Sequence, residues 1–457
     1  MQTSPSLLKY VILGWTGLYL IITALYFYKY VIRLGYGFPA MVEAYDPQYE
    51  YIGPVLYLLK QGVYWTDYRM PGFAAIYVIL YGVTQNEYYA NVLFTILSLL
   101  AIIAAMILSM TYVMNKTKSY LYVSLIGFAW ATNPVLHRWF SIGTEGMAIS
   151  CIILSIIALA RERYLLAGTL LTLSIFLRPI SGVLLVPIGL HLWKVTGYPP
   201  PWQFSKNRAI ILTFLPFLIT ESAWIIRNYL RYKDFRPLSG TGTMQNETMY
   251  GTPEVKSISL LIRMGMSTDN TLSQLFEHGK VIDSASFMFF VPKRYLPDTL
   301  LTKLKRLIHM QNSRAEKDCD YLLKIEQLSG EIMKDVKIPL YAKVLNRLYH
   351  SIFGDIVFLH KETSPWRLIL LLAKHPLHAI SSILIVLVLT IPIGILASAI
   401  LWRGDFLKVL LLVLIGVSPM WAHLLTGIVD HRYLTSYLPL ATLTLIESTL
   451  YLQRKKS

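Results

Sequence analysis

The chain has 457 residues, of which 55% are hydrophobic and only 15% charged, and it carries a formal net charge of +16. Such a composition, with repeated apolar stretches of about twenty residues, excludes an ordinary soluble domain and assigns the chain to a bilayer. The basic excess flanks apolar stretches and nowhere forms a run interleaved with aromatics, so it points to anionic membrane lipids and excludes nucleic acid as the partner.

In chain order, residues 8–32 form the first apolar stretch. It is too long for a signal-peptide core and lacks a small-residue cleavage site, so a retained helix is expected. Further spans are expected at 88–114, 120–137, 141–160, 163–177, 180–195, 208–230, 378–401, 406–425 and 433–452. The fold class is thus an all-α polytopic bundle of about ten transmembrane helices. The run from Phe73 to Val83 is too short to cross about 30 Å of hydrocarbon, and belongs to a juxtamembrane or re-entrant element of the first outer loop, 34–87. The consecutive stretches 163–177 and 180–195 are marginal in length, and losing both would leave the sidedness of the remainder unchanged.

Lys9, Lys116, Lys118, Arg161, Arg163, Lys194, Lys206, Arg208, Arg403, Lys408 and the Arg454–Lys456 run all fall on one side, which the positive-inside rule makes cytoplasmic. Both termini are then cytoplasmic, in a cell membrane. The extracytoplasmic face receives loop 34–87, the turns at Arg138 and Arg178, the long loop 231–377 and the turn from Asp430 to Arg432. Three parts follow: a core over 1–230, the loop 231–377, and C-terminal spans over 378–457. The loop is nearly balanced in charge and has apolar residues at helical spacing. One stripe is Leu301, Leu304, Leu307 and Ile308, and another Leu345, Leu348, Ile352 and Val357. Amphipathic helices punctuated by Pro292, Pro297 and Pro339 are expected there, serving as a cap on the outer face or in substrate recognition. Cys151 and Cys319 lie too far apart to pair and match no metal-binding spacing.

Five acids crowd the first outer loop: Glu43, Asp46, Glu50, Asp67 and Glu87. On a continuous helix Glu43, Asp46 and Glu50 would share a face, but Pro47 argues for a break. Asp46-Pro47 is the pattern of a helix N-cap followed by proline at the first helical position, a role compatible with catalysis because a cap holds the carboxylate on a rigid element. A second cluster is Asp67-Tyr68-Arg69-Met70-Pro71-Gly72. A third is Trp224-Ile225-Ile226-Arg227-Asn228-Tyr229, at the end of a span that also holds Glu221. Arginine grips phosphate bidentately, whereas the blander reading of Arg69 and Arg227 is snorkelling or interfacial anchoring. Single groups recur at other span ends: His137, Arg138, Glu145, Arg178, His431 and Arg432. One such residue is ordinarily interfacial, but together they make a rim of both signs at one membrane face.

At these residues the chain resembles a family. Asp46-Pro47-Gln48-Tyr49-Glu50-Tyr51 in the first outer loop, Arg69-Met70-Pro71 before the next apolar run, Thr144-Glu145, Leu177-Arg178-Pro179 and Trp224-x-x-Arg227-Asn228-Tyr229 are similar in order to motifs of GT-C glycosyltransferases. The nearest are the relatives of protein O-mannosyltransferases and of the lipid A aminoarabinose transferase. The resemblance covers about residues 1–240 and is fainter at His375-Pro376 and Arg432-Tyr433. It implies transfer of one sugar from a polyprenyl-phosphate donor to an acceptor at the extracytoplasmic face. Asp46 would be the general base, while Arg69 and Arg227 would hold the donor phosphate. Glu43, Glu50, Asp67 and Glu145 would be auxiliary acids, with Tyr45, Arg138, Arg178, Asn228, His431 and Arg432 on the substrate rim. The chain departs from the family where Pro47 replaces a second acid beside Asp46, and where Arg69 with Met70 replaces a lysine directly before proline.

The chemistry needs such parts. A positioned carboxylate that takes the acceptor hydroxyl's proton contributes about 10²- to 10⁴-fold. Cationic donors stabilise charge growing on the departing phosphate. Inverting single displacement is expected. No cofactor is expected, and the sequence supplies no octahedral ligand set for a divalent metal. A transporter or flippase of lipid-linked saccharides is the alternative, but it would call for midplane charges and two related halves, whereas only Glu221 lies at such depth. A non-enzymatic scaffold leaves the first-loop acids unexplained.

Overall fold

The computed structural model describes residues 5–33, 52–62, 70–138, 144–200, 202–232, 374–401, 405–426 and 434–456, together with scattered positions between 298 and 371. The protein is largely helical. In chain order the elements are α1 (Pro5–Phe27, continued by a π-helical turn, Tyr28–Arg33), α2 (Gly53–Gln61), α3 (Gly72–Thr84), α4 (Glu87–Thr117), α5 (Tyr120–Ala131), α6 (Glu145–Ala160) and α7 (Tyr164–Leu177). A 3₁₀ turn (Pro179–Leu184) leads into α8 (Leu185–Val195), followed by α9 (Arg208–Tyr232), α10 (Pro376–Leu401), α11 (Phe406–Thr426) and α12 (Leu438–Lys456).

Five stretches among the described residues are long and apolar enough to cross a bilayer: Leu7–Arg33, Glu87–Thr117, Arg208–Leu230, Pro376–Leu401 and Phe406–Leu425. Tyr120–Ala131, Glu145–Ala160, Tyr164–Leu177 and Pro179–Val195 are apolar but shorter. The expected span over 120–137 stops as a helix at Ala131, because Asn133-Pro134 opens a turn. Gly72–Thr84 has 13 residues, so at about 1.5 Å each it reaches only about 20 Å, as a juxtamembrane or re-entrant element should. A membrane-embedded helical bundle is the architecture these helices support.

The surface of α1 shows why. Thr16, Tyr19 and Thr23, spaced i, i+3, i+7, are buried, while Leu13, Ile21 and Leu25 are exposed. A helix whose outward face is leucine and isoleucine matches hydrocarbon rather than water.

The chain divides into two compact units. One comprises Met1–Gly242, Ile383–Pro419 and Thr435–Ser457; the other comprises Thr243–Ser382 and Met420–Leu434.

In the first unit α4, α6 and α7 pack in succession, α9 lies against α7, and α1 lies against α5. Close approach is bought by glycine at the α7–α9 crossing, where a Cβ on Gly168 would run into the Thr213 carbonyl oxygen. The α1–α5 contact is polar as well. His137 is fully buried, stacked on Tyr19 and Tyr26 with ring centroids 4.9 and 5.5 Å away. Its Nε2 lies 2.8 Å from the Ala131 carbonyl, so that nitrogen carries the proton. Nδ1 then accepts from the Thr23 hydroxyl at 2.8 Å. Tyr19 donates to the Leu136 carbonyl at 2.6 Å. His137→Ala removes the stack and both ring hydrogen bonds, and is expected to cost about 2–4 kcal/mol. Thermal unfolding of the detergent-solubilised protein would register this, and an unchanged midpoint would mean that the stack does not hold α1 in place.

At the opposite end of this unit, Lys194 Nζ lies 2.8 Å from Asp405, which also accepts the Lys408 backbone N–H at 3.1 Å and so caps α11. Burial raises the Asp405 pKa, but the Lys194 and Lys408 hydrogen bonds outweigh it and hold the carboxyl below its ordinary 3.8. A depressed folded-state value means stability present above the ordinary value and lost as pH falls through the folded one. Asp405→Ala should therefore lower the unfolding midpoint by about 1–2 °C at neutral pH, with the difference from the native chain closing once pH drops below 3.8. A difference that persists in acid would remove the charge from the explanation.

In the second unit Arg347, 2% exposed, donates Nη1 to the Leu424 and Leu425 carbonyls at 2.6 and 2.8 Å. These belong to the last turn of α11, whose carbonyls lack intrahelical partners and whose dipole favours a cation. His378 Nε2 donates to the Ile352 carbonyl at 2.8 Å, and Lys303 pairs with Asp335 at 2.7 Å. Of the expected stripe, Leu345 is 49% exposed while Leu348 and Ile352 are partly buried, and Arg347 and Ser351 are buried beside them. The helical residues 302, 303, 306, 340, 341, 343–345, 347, 348, 351 and 352 fit the helical character expected of this loop. Pro339 precedes a turn in which Lys343 N–H donates to its carbonyl at 3.2 Å. Leu301, Leu304, Leu307, Ile308, Val357, Pro292 and Pro297 lie outside the described residues.

Candidate functional site

The first unit brings polar groups together where α3 and α6 begin and α5 and α7 finish. Four of the motifs singled out in the sequence have described residues here. Gly72 opens α3 directly on the end of α7: a Cβ there would meet the Phe176 carbonyl carbon at 2.5 Å and the Leu177 nitrogen at 2.7 Å. Only a residue without a side chain permits this approach. Met70, just before it, is 3% exposed. Around the contact, Ile52, Phe73, Tyr77, Phe94, Met147 and Leu177 share one apolar cluster. Ile52 is the point where the chain re-enters the described region, six residues after Asp46, and it is fully buried.

The next residue of α7's end is Arg178. A residue preceding proline avoids the helical region, and Arg178 accordingly adopts extended backbone (φ −143°), ending α7 so that Pro179 can start the 3₁₀ turn. Its N–H still donates to the Ser174 carbonyl at 2.8 Å, and its own carbonyl accepts from Ser181 N–H at 2.9 Å. Its guanidinium forms an ion pair with Glu145, the first residue of α6, whose carboxylate is favoured at a helix N-terminus. The two side chains are 14% and 12% exposed, so the pair is mostly dry yet reachable. Thr144 occupies the N-cap position but makes no capping bond; its Oγ is enclosed and has no hydrogen-bond partner. Ser174 Oγ, one turn below Arg178, is also enclosed and unpartnered. The Tyr437 ring, just before α12, is buried against Ser181 within electrostatic reach of Arg178. Asn133 Nδ2 donates to the Thr435 carbonyl at 2.6 Å and ties that turn to the end of α5. A Cβ on Gly146 would stand 3.8 Å from Leu136, so the end of α5 adjoins the start of α6. Arg138 is exposed, with its guanidinium over the Tyr30 ring at 5.6 Å.

A second group stands at the end of α9. Arg227 lies over the Trp224 ring at 4.7 Å and donates Nη1 to Asn228 Oδ1 at 2.7 Å. Glu221, Trp224 and Asn228, spaced i, i+3, i+7, are all buried. Trp224 is therefore a packed ring that braces Arg227 rather than an exposed interfacial anchor.

Glu87 begins α4 beside its N-cap Asn86, whose side chain accepts from Tyr89 N–H at 3.2 Å. Asp46, Glu43, Glu50, Tyr45, Asp67, Arg69, His431 and Arg432 lie outside the described residues. The structure thus joins Glu145 to Arg178 and Arg227 to Asn228. Sequence reasoning named Thr144 only as part of the Thr144-Glu145 motif and passed over Ser174, Ser181 and Tyr437 as part of the setting. Hydroxyls inside apolar helices commonly back-bond to their own turn, so type and spacing alone gave them no distinction. Among the described residues no three His, Cys, Asp or Glu side chains come together in a way that could hold a metal ion. No protein-family model, curated protein or solved structure matches the chain.

Proposed function

We propose that the chain is an integral-membrane glycosyltransferase of the GT-C kind, moving one sugar from a polyprenyl-phosphate donor to a hydroxyl of a lipid, glycan or protein acceptor at the extracytoplasmic face. The observation that carries the reading is the seating of Gly72 on the backbone of Phe176 and Leu177. It draws the Met70–Gly72 element to Leu177-Arg178-Pro179, which the Glu145 ion pair joins to the start of α6. Three motifs separated in sequence thereby adjoin at one end of an apolar bundle. In the reaction, Asp46 takes the proton of the acceptor hydroxyl as its oxygen forms the new bond to the anomeric carbon. The bond from that carbon to the phosphate oxygen breaks on the opposite side, and Arg69 and Arg227 stabilise the charge left on the lipid phosphate. Trp224 and Asn228 hold the Arg227 guanidinium in a fixed orientation, which lowers the reorganisation needed as charge develops.

The test is incubation of the purified protein with polyprenyl-phosphate-linked hexoses and pentoses and with lipid, glycan and protein acceptors. Release of polyprenyl phosphate with a product of inverted anomeric configuration is expected. No transfer across the donor panel, or a product that keeps the donor's configuration, would overturn the reading. The buried Glu221 favours a second reading, transport of lipid-linked saccharides, since a carboxylate enclosed within a span is a usual mark of a transport path. Reconstituted vesicles that move the lipid-linked sugar across the bilayer without cleaving it would establish that reading instead.

A further inference from the structure

We infer that the Glu145–Arg178 pair, with the enclosed hydroxyls of Thr144 and Ser174 and the Tyr437 ring, is a subsite for an uncharged polyhydroxyl group, the sugar ring of the donor, and not for its phosphate. The inference rests on the glycosyltransferase reading and assigns to separate residues the recognition of sugar and of phosphate.

Charge is the first reason. Arg178 is already neutralised by Glu145, so a phosphate arriving beside the pair would meet a carboxylate as well as a guanidinium and gain little. A sugar meets the opposite situation. Vicinal hydroxyls are donors and acceptors at once, so one donates to Glu145 while its neighbour accepts from Arg178, and each bond to a charged partner is stronger than a neutral one. Enclosure is the second reason. Thr144 Oγ and Ser174 Oγ are fully buried with no hydrogen-bond partner, a cost that a native structure ordinarily avoids and that a hydroxyl-bearing ligand would relieve. They flank the pair from both of its elements: Thr144 directly precedes Glu145, and Ser174 lies one turn below Arg178, accepting its backbone N–H. Tyr437, buried against Ser181 and within electrostatic reach of Arg178, places a further hydroxyl beside the pair. The Arg227 guanidinium, which donates to Asn228 Oδ1 and lies over the Trp224 ring, is the group that the glycosyltransferase reading gives to the phosphate.

The experiment measures binding of two probes to the full-length protein in nanodiscs: decaprenyl phosphate, and decaprenyl phosphate carrying a single mannose or glucose. The native chain is expected to bind a glycosylated probe at least about tenfold tighter than the bare lipid. Glu145→Gln should bring that ratio close to one while leaving affinity for the bare lipid phosphate within about twofold. Thr144→Val, which removes a hydroxyl while keeping the shape, should reduce the ratio about threefold to tenfold, and serves if Glu145→Gln fails to fold. The subsite is overturned if either folded variant keeps the native ratio, or if Glu145→Gln weakens both probes equally, as a purely structural pair would. If the native chain binds neither probe, the glycosyltransferase reading fails, and the subsite with it.

Discussion

Asp46→Asn is expected to slow sugar transfer by about 10²- to 10⁴-fold while leaving donor affinity and thermal stability unchanged. Asparagine has nearly the same shape as aspartate but cannot take up the acceptor's proton. The loss should therefore appear in kcat, because an interaction needed only as the nucleophile forms does not contribute to donor binding. The substitution also separates two roles that the Asp46-Pro47 pattern leaves superimposed. Asparagine caps a helix as well as aspartate does, whereas alanine forfeits about 1 kcal/mol of cap as well as the base. Equal inactivity of the Asn and Ala variants, with lower stability only in the Ala variant, would show both roles at once. Transfer undiminished in Asp46→Asn would remove the residue from the chemistry.

Gly72→Ala should damage both stability and transfer, and Gly82→Ala, in the same helix, should damage neither. The new Cβ at position 72 would stand 2.5 Å from the Phe176 carbonyl carbon and 2.6 Å from its oxygen. Backbone atoms of a packed helix cannot rotate aside, so the start of α3 must shift, at a cost of about 1–3 kcal/mol. A displacement near 1 Å at this junction would separate the Met70–Gly72 element from Arg178 and lower transfer on the order of 10²-fold. Gly82 has nothing within 4 Å of an added Cβ, so alanine there should gain up to about 1 kcal/mol of helix propensity. Thermal midpoints and initial transfer rates of the two variants, measured side by side, check both statements. Matching behaviour of the pair would mean that α3 does not begin on the end of α7.

Much of the helical framework was legible before any coordinates. The break at Arg178-Pro179 follows from the restriction that proline places on its predecessor, and the short α3 follows from the length of its apolar run. The burial of Arg347 beside the expected stripe through Leu345 has a physical reason. Periodicity ranks faces by hydrophobicity, but Arg347 is buried because the free carbonyls at the end of α11 accept its hydrogen bonds, a partner supplied only by tertiary packing. The span over 120–137 was read as too long because apolar composition continues through the turn to Leu136 after the helix has ended.

By itself, then, the sequence determined the membrane class, the approximate ends of the apolar helices and the clustering of ionisable groups at those ends, since each depends on local composition and local backbone restriction. Tertiary structure alone decided that Glu145 meets Arg178, that Gly72 opens against Phe176 and Leu177, and that Thr144, Ser174 and Tyr437 belong to the same place. A helical period specifies which residues share a face but not which neighbour that face will meet. Here the neighbour was set by close packing, where a single missing Cβ allows two backbones to touch.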